Sequence, residues 1–224
     1  MRTQVDRNHY GVDYLSPEKF QLYYHILRTV LAYKPNNVLE IGLGTGVVAH
    51  LLRFNGVNVV CGDFDVSLDP DVLFDIRQCP FKCGSFDVVL ASQVLEHIPF
   101  EDVSDAVCSM AMSAKKGIVI SVPYNRHNVS LSLNVKFNRY LRFRGAINTF
   151  IDRFLNFYVN CGIDQSSKSF VPDREHRWEI GYKEYPLSRV RAAIERACPV
   201  ETEFRVPRAP YHYVFALRRP VRSG

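Results

Sequence analysis

The sequence predicts a doubly wound α/β domain with a mostly parallel, seven-stranded sheet and a helical insertion. Two observations indicate this fold class. Short apolar strand patterns alternate with helical patterns over the first 122 residues, as expected for parallel strands joined by right-handed crossovers. A glycine-rich turn also follows the first predicted strand and precedes a helix, which is the usual arrangement of an anion- or nucleotide-binding corner.

The predicted elements follow one another in regular order. Ser16, Pro17 and Glu18 form a typical helix start, with a capping hydroxyl, a proline in the first turn and an acid near the positive helix end. Two final strands, 200–206 and 211–217, are expected to complete the sheet in antiparallel orientation. Hydrophobic periodicity predicts the other strands over 37–41, 57–61, 72–74, 86–91 and 117–122, and further helices over 47–54, 101–113 and 186–197.

We expect all 224 residues to form one domain, with its core over about 15–123 and 171–220. The segment 124–170 has no evident strand pattern, and we expect it to form a helical lid over the carboxyl ends of the strands. It contains two apolar stripes, over 137–143 and 150–158. Basic side chains along it include Arg126, Lys136, Arg139, Arg142, Arg144 and Arg153.

Three interpretations of this lid are open. An amphipathic helical segment that packs on the core accounts for the apolar stripes. A basic amphipathic surface can also touch a membrane or a lipid-linked substrate. Interleaved aromatic and basic residues can bind single-stranded nucleic acid, but the chain has no recognised binding module, so this last interpretation is disfavoured.

Composition restricts the function further. The apolar share of 47% and the charged share of 23% are typical of a globular protein in water, and the net charge of +5 permits an anionic partner without requiring one. No apolar run is long enough to span a membrane, and the first residues lack the apolar middle of a signal peptide, so we expect a cytoplasmic location. The six cysteines are scattered, with only Cys79 and Cys83 close together, which predicts reduced thiols and no metal site.

The glycine-rich turn is Gly42-Leu43-Gly44-Thr45-Gly46, and Val47 follows it. A dinucleotide site has the spacing GxGxxG, so Val47 stands where the third glycine would pack the helix close to a pyrophosphate. Glu40 lies just before the turn, where its charge would repel a phosphate. S-adenosylmethionine has no phosphate and carries an ammonium and a sulfonium, so it fits such a site better. Asp63 follows the second strand at a position suited to ribose hydroxyls.

These segments resemble the class I S-adenosylmethionine-dependent methyltransferases, in particular the small methyltransferase-domain type. Over residues 35–123, VLEIGLGTG resembles the first motif of that family, VVCGDFD the second, and DIRQCPFKCGSFDVVLASQVLEHI the third and fourth. The resemblance implies a Rossmann-like methyltransferase fold with S-adenosyl-L-methionine as cofactor. It implies the cofactor-binding residues Glu40, Gly42, Gly44, Thr45, Gly46, Asp63, Phe64, Asp75, Ile76, Ser92, Gln93, Val94 and His97.

The resemblance also implies individual roles. Asp63 would bind the ribose, Asp75 the adenine amino group, and Ile76 would pack on the adenine ring. The residues Ser92 to Val94 would line the methionine side. His97 belongs to a Leu-Glu-His element that opens a helix beside the site, and both a structural role and a contact with cofactor or substrate are open for it.

The acceptor side is less determined by sequence. In related methyltransferases a histidine near position 176 often faces the substrate, and a general base is needed to take a proton from an oxygen or nitrogen nucleophile. His176 is therefore the candidate base, with Tyr124 a second candidate. The alternative is that His176 and Glu179 only connect the lid to the core.

We therefore expect methyl transfer to an oxygen or nitrogen of a small-molecule, sugar or lipid-linked acceptor. Peripheral membrane contact through the lid is a further expectation, and nucleic acid is a disfavoured partner. Three alternatives are open: a non-catalytic cofactor-binding or regulatory protein of methyltransferase type, a nucleic-acid methyltransferase and an NAD-dependent oxidoreductase. The missing third glycine disfavours the oxidoreductase.

Overall fold

The structure is a computed structural model that describes residues 14–134, 156–173 and 175–219. Strands and helices alternate through the first half of the chain. Its helices and strands are α1 Pro17–Ala32, β1 Asn37–Ile41, α2 Val47–Phe54, β2 Asn58–Asp63, β3 Val72–Leu73, β4 Phe86–Ser92, α3 Phe100–Ser113, β5 Ala114–Pro123, β6 Arg126–Asn134, β7 Asn156–Asp164, α4 Leu187–Glu195, β8 Val200–Arg205 and β9 His212–Arg218.

The main sheet has seven strands within the described residues, in the order β3-β2-β1-β4-β5-β9-β8. Strands β1 to β5 are parallel to one another, while β9 runs antiparallel to both β5 and β8. The chain order reverses between β1 and β4, and ligands of open α/β sheets bind in the crevice at such a switch point. The predicted fold class is confirmed, and the predicted strands and helices of the core agree with the observed ones to within a few residues.

Both faces of the sheet are covered, which explains the unbroken apolar runs in its central strands. Leu39 and Ile41 of β1 pack on the side of α3 and α4, where Trp178 is also buried. Val38 packs on the opposite side with α1 and α2. Because side chains alternate along a strand, Glu40 lies on the side of Val38, next to the two helices that precede and follow β1.

The helical lid predicted over 124–170 is corrected at 126–134 and 156–164, where the structure has strands. Strands β6 and β7 form a separate two-stranded antiparallel ribbon, paired from Arg126 opposite Asp164 to Asn134 opposite Asn156. The sequence of β6 alternates polar and apolar residues from Asn128 onward, which is a strand period that the aromatic content of the segment obscured. The stripe over 137–143 and most of the stripe over 150–158 lie outside the described residues.

The strands of the ribbon leave apolar side chains in contact with water. Val129, Leu131 and Ile163 are exposed, and the pairing of the two strands places them on one face. None of the described helices is long and apolar enough to cross a membrane. That all 224 residues form one domain stays a prediction.

Candidate functional site

A cleft opens at the carboxyl ends of β1, β2 and β4, at the switch point of the sheet. The loop after β1 forms its floor, and the start of α1 covers one side. Its lining residues are Tyr14, Lys19, Leu22, Tyr23, Glu40, Gly42, Leu43, Gly44, Thr45, Val47, Val48, Asp63, Phe64, Asp65, Leu68, Ser92, Gln93, Val94 and His97. Most of the predicted cofactor-binding residues are therefore brought together in one place.

The glycine loop has a backbone that other residues adopt only with strain. Gly42, Gly44 and Gly46 have φ angles of 84°, 50° and 69°. A Cβ atom on Gly42 would lie 2.3 Å from Cγ2 of Val94. The Val94 side chain therefore packs directly against the Gly42 backbone and leaves no room for a side chain there. Gly46 precedes α2 without any side-chain cap, which leaves the first N–H groups of that helix for water or a ligand.

The carboxylate of Asp63 connects the glycine loop to the end of β2. Its Oδ2 accepts a hydrogen bond from the backbone N–H of Leu43 at 2.8 Å, and its Oδ1 accepts one from the N–H of Asp65 at 2.9 Å. Asp65 in turn accepts a hydrogen bond from the N–H of Ser67, so it caps the short turn that follows β2. Asp63 is thus held rigidly in the lining of the cleft, with acceptor capacity left on both oxygens.

Glu40 is a buried acid that has no protein partner for one of its oxygens. The residue is 3% exposed, and its Oε2 forms no hydrogen bond within the described part of the chain. Burial raises the pKa of Glu40 to about 8, although the charge of Arg53 opposes this shift. A buried carboxyl oxygen without a hydrogen-bond partner costs free energy, and a ligand that donates a hydrogen bond to it removes that cost. An ammonium group is a suitable donor and also matches the charge of the carboxylate.

The start of α1 contributes residues that the sequence did not single out. Nζ of Lys19 donates to the hydroxyl of Tyr14 at 3.0 Å, and the hydroxyl of Tyr23 lies 3.2 Å from Oγ1 of Thr45. Burial lowers the pKa of Lys19. Lys19 and Tyr23 are one helical turn apart, and this spacing was the available signal that both face the same cleft.

The loop after β4 forms the wall opposite α1. Gln93 has a φ angle of 57°, which is unusual for a residue with a side chain, and such strain is common at functional sites. Its N–H donates to the carbonyl of Ser121, and its Oε1 lies 3.2 Å from Nδ1 of His212. Burial and the nearby Lys19 charge lower the pKa of His212 to about 3, so His212 is neutral and orients Gln93.

Several predicted residues lie outside the lining of the cleft. Asp75 is paired with Arg77 at 2.6 Å, and this hydrogen bond lowers the pKa of the Asp75 carboxyl. Ile76 is buried in the core, and Gly46 is not among the residues that line the cleft. The adenine contacts assigned to Asp75 and Ile76 stay predictions.

Tyr124 is also outside the cleft and is held in a network of its own. Its hydroxyl donates to Oδ2 of Asp164 at 2.8 Å, and the guanidinium of Arg205 lies 3.8 Å from its ring centre. Burial and the Asp164 carboxylate raise the pKa of Tyr124 to about 12. These contacts connect the ribbon to the main sheet, while a catalytic role for Tyr124 stays a prediction.

His176 lies beside the cleft, behind His97, and the core holds it there. The backbone N–H of Arg177 donates to the carbonyl of Glu96 at 2.8 Å, and the buried indole of Trp178 donates to the carbonyl of Leu95 at 3.1 Å. These two bonds bring residues about 80 positions apart in sequence together. The rings of His97 and His176 meet edge to face, with their centres 5.3 Å apart.

The buried carboxylate of Glu179 orients His176. Nδ1 of His176 donates to Oε1 of Glu179 at 2.7 Å, and the same oxygen accepts from the hydroxyl of Tyr211 at 2.7 Å. Nδ2 of Asn125 donates to Oε2 at 3.1 Å, so both oxygens of Glu179 are used. Burial alone would lower the pKa of His176, but its hydrogen bond to Glu179 and the carboxylates around it give a net increase.

Comparison with known families decides the identity. The model of a methyltransferase-domain family matches residues 18–158, which is more than half of the chain and includes α1, the glycine loop and the Leu-Glu-His turn. The chain belongs to this methyltransferase family. It is an S-adenosylmethionine-dependent methyltransferase, as the sequence predicted. No curated protein sequence matches it at a significant level.

Solved structures with the same fold are only distantly related in sequence to this methyltransferase. One is magnesium protoporphyrin IX methyltransferase from Synechocystis with bound S-adenosylhomocysteine, at 14% identity and a TM-score of 0.56, covering 91% of this chain and 84% of that one. Another is 1,6-didemethyltoxoflavin-N1-methyltransferase from Burkholderia thailandensis, at 15% identity, a TM-score of 0.55 and coverage of 88% and 77%. A third is the N-methyltransferase NodS from Bradyrhizobium japonicum, at 13% identity, a TM-score of 0.54 and coverage of 92% and 89%.

Proposed function

We propose that this methyltransferase transfers a methyl group from S-adenosylmethionine to an oxygen or nitrogen of a small-molecule acceptor. The observation that carries the proposal is the cleft itself, where a glycine loop, a fixed acid at the end of β2 and a buried acid with one unpaired oxygen meet. When bound, the cofactor supplies an electrophilic methyl group on a sulfonium. The work of the protein is then mainly to hold two reactants in line and exclude water.

The charges of the cleft match the two ends of an amino-acid group. Glu40 offers a carboxylate for an ammonium, and Lys19 offers an ammonium for a carboxylate. Asp63 is placed at the end of β2, where its remaining lone pairs can accept hydrogen bonds from two ribose hydroxyls. The glycine loop permits the ligand to approach the backbone between these charged groups.

The acceptor is proposed to enter on the side of His97 and His176. The Nδ1–H bond to Glu179 leaves Nε2 as the lone-pair nitrogen of His176. We propose that Nε2 takes the proton from the nucleophilic atom of the acceptor. Two of the similar structures carry names that specify small heterocyclic acceptors, magnesium protoporphyrin IX and 1,6-didemethyltoxoflavin. Those names support the small-molecule class and leave the identity of the acceptor open. We also propose that the enzyme is located in the cytoplasm.

The proposal is tested by following the label from methyl-labelled S-adenosylmethionine in a cell extract. After incubation with the purified enzyme, the label is counted separately in the small-molecule, lipid, protein and nucleic-acid fractions. We expect enzyme-dependent label in the small-molecule fraction. Label confined to protein or nucleic acid would contradict the proposal.

A lipid-linked acceptor is the second candidate, and the apolar face of the ribbon favours it. Val129 and Ile163 are 76% and 77% exposed and share this face, which suits the interface of a bilayer. The enzyme should then float with vesicles that contain anionic lipid, and the double variant Val129→Ser/Ile163→Ser should not. A control variant, Phe54→Ser, removes an exposed apolar side chain at the end of α2 and should float like the unaltered enzyme. Absence of the unaltered enzyme from the floated fraction argues against this candidate.

A further inference from the structure

Three potential metal ligands meet at the edge of the cofactor cleft. Glu96, His97 and His176 each place one ligand atom within 4.8 Å of the other two. His97 lines the cleft, so the cluster is open to whatever binds beside the cofactor. Hydrogen bonds between the backbone of residues 95–96 and residues 177–178 hold the cluster together.

Glu96 is the most informative member of the cluster. Its side chain is fully buried, and neither carboxylate oxygen has a hydrogen-bond partner among the described residues. Two empty acceptors on one buried carboxyl are unusual, because buried polar atoms in folded proteins are nearly always hydrogen-bonded. A cation between Glu96 and the two imidazoles would satisfy this carboxylate.

The surroundings of the two histidines select the tautomer that a metal needs. Nδ1 of His97 donates to the carbonyl of Glu175 at 2.7 Å, and Nδ1 of His176 donates to Glu179 at 2.7 Å. Each ring therefore carries its lone pair on Nε2. A metal-bound histidine commonly donates its other N–H to a carbonyl or carboxylate in this way, which fixes the ring and strengthens the ligand.

We propose that Glu96, His97 and His176 bind a divalent transition-metal cation next to the methyl-transfer site. One carboxylate oxygen and two imidazole nitrogens suit Zn²⁺, Mn²⁺ or Fe²⁺ better than Mg²⁺ or Ca²⁺, which prefer ligand sets made of oxygen. Bonds of about 2.1 Å hold ligand atoms at most roughly 4.2 Å apart, so the three groups draw together slightly when the ion binds. His97 is the member of the cluster that lines the cleft, so an acceptor would reach the ion from that side.

The site deepens the proposed function, on which its catalytic consequence rests. An acceptor hydroxyl bound to the cation loses its proton to water more readily, because the positive charge stabilises the oxyanion. The oxygen then forms a bond to the methyl carbon while the C–S bond breaks and its electron pair stays on sulfur. The products are a methyl ether, the neutral thioether and one proton in solvent. With the ion bound, the Nε2 lone pair of His176 binds the metal instead of the acceptor proton, so His176 then affects the acceptor as a ligand of the ion.

Binding of Mn²⁺ to the full-length enzyme, measured by electron paramagnetic resonance after removal of metals with a chelator, tests the site. Mn²⁺ has little affinity for thiols, so the free cysteines do not interfere. We expect one bound ion per chain, with an affinity at least 10-fold lower in Glu96→Gln and in His176→Gln. His50→Ala removes an exposed histidine outside the cluster and should bind Mn²⁺ like the unaltered enzyme.

Cofactor binding is measured on the same samples in the presence of chelator. Glu96→Gln and His176→Gln should keep their affinity for S-adenosylmethionine, which shows that the variants are folded. If a buried substitution prevents folding, Glu179→Gln should still weaken Mn²⁺ binding about 10-fold, because it removes only the carboxylate that orients His176. Equal Mn²⁺ affinity in the unaltered enzyme and the cluster variants, or no binding at all, overturns the metal site. Loss of cofactor binding in the unaltered enzyme overturns the proposed function instead.

Discussion

The backbone N–H of Leu43 donates a hydrogen bond to Oδ2 of Asp63 at 2.8 Å, and this bond joins the glycine loop to the end of β2. The other oxygen of Asp63 accepts from the N–H of Asp65. A single buried carboxylate therefore shapes the loop and borders the cofactor cleft. The substitution Asp63→Asn replaces this carboxylate with an amide of nearly the same size, so it removes the charge and one hydrogen-bond acceptor.

We expect Asp63→Asn to destabilise the fold and to weaken cofactor binding together. The asparagine amide can accept only one of the two backbone N–H bonds, and an unpaired buried donor costs about 1–3 kcal/mol. Urea unfolding and calorimetric titration with S-adenosylmethionine measure the two effects, and we expect about a 10-fold loss of affinity. Asp69→Asn, at an exposed position, is the matched control and should change neither quantity. Full cofactor affinity in Asp63→Asn argues against the role of Asp63.

The close approach of Gly42 and Val94 gives a second prediction. Gly42→Ala and Gly56→Ala both place a side chain at a positive φ, of 84° and 80°, but only the first meets another atom. We expect Gly42→Ala to lose about 1–3 kcal/mol more unfolding free energy than Gly56→Ala, since overpacking adds to backbone strain. Cofactor binding should fail only in Gly42→Ala. Equal losses in the two variants contradict the close packing of these loops.

Glu40 should make the stability of the cofactor-free enzyme depend on pH. Burial raises the pKa of Glu40 to about 8, while in the unfolded chain this group is ionised above its ordinary pKa near 4.5. Stability from Glu40 is therefore complete below the unfolded pKa and is lost as the pH rises through the folded pKa. From about pH 5 to 8, the unaltered enzyme should lose up to about 4 kcal/mol more unfolding free energy than Glu40→Gln. Parallel curves for the two proteins contradict this assignment.

His176 should affect turnover far more than cofactor binding. It lies behind His97 and is held by Glu179, while the cleft for the cofactor is lined by other residues. With a known acceptor, we expect His176→Ala to lower kcat by about 100-fold or more and to leave the affinity for S-adenosylmethionine within about 3-fold. His127→Ala on the ribbon is the control and should keep full turnover. Unchanged turnover in His176→Ala removes His176 from the reaction.

Much of the core could be predicted because its signals are local. The cap at Ser16 accepts a hydrogen bond from the N–H of Lys19, and α1 begins at Pro17 as predicted. The apolar run from Phe86 predicts a strand covered on both faces, and β4 is buried in this way. The glycines and acids of the cleft follow strand ends, and parallel strands bring their carboxyl ends to one edge of the sheet.

The errors and omissions come from interactions distant in sequence. The spacing of Lys19 and Tyr23 places both on one face of α1, but no local pattern shows that this face and Tyr14 border the cleft. The pairing of β6 with β7 joins residues across a segment of about 20 positions, so each strand lacks a local turn signal. The cluster of Glu96 with His176 depends on a hydrogen bond between Arg177 and Glu96, which no local pattern indicates.

The most direct test is calorimetric titration of the full-length enzyme with S-adenosylmethionine and, in a separate experiment, with NAD. We expect one cofactor per chain, with a dissociation constant on the order of micromolar, and no binding of NAD. Glu40→Gln should weaken cofactor binding at least 10-fold, because the amide no longer offers a charge to the ammonium group. No binding at millimolar S-adenosylmethionine, or tight binding of NAD, would contradict the account.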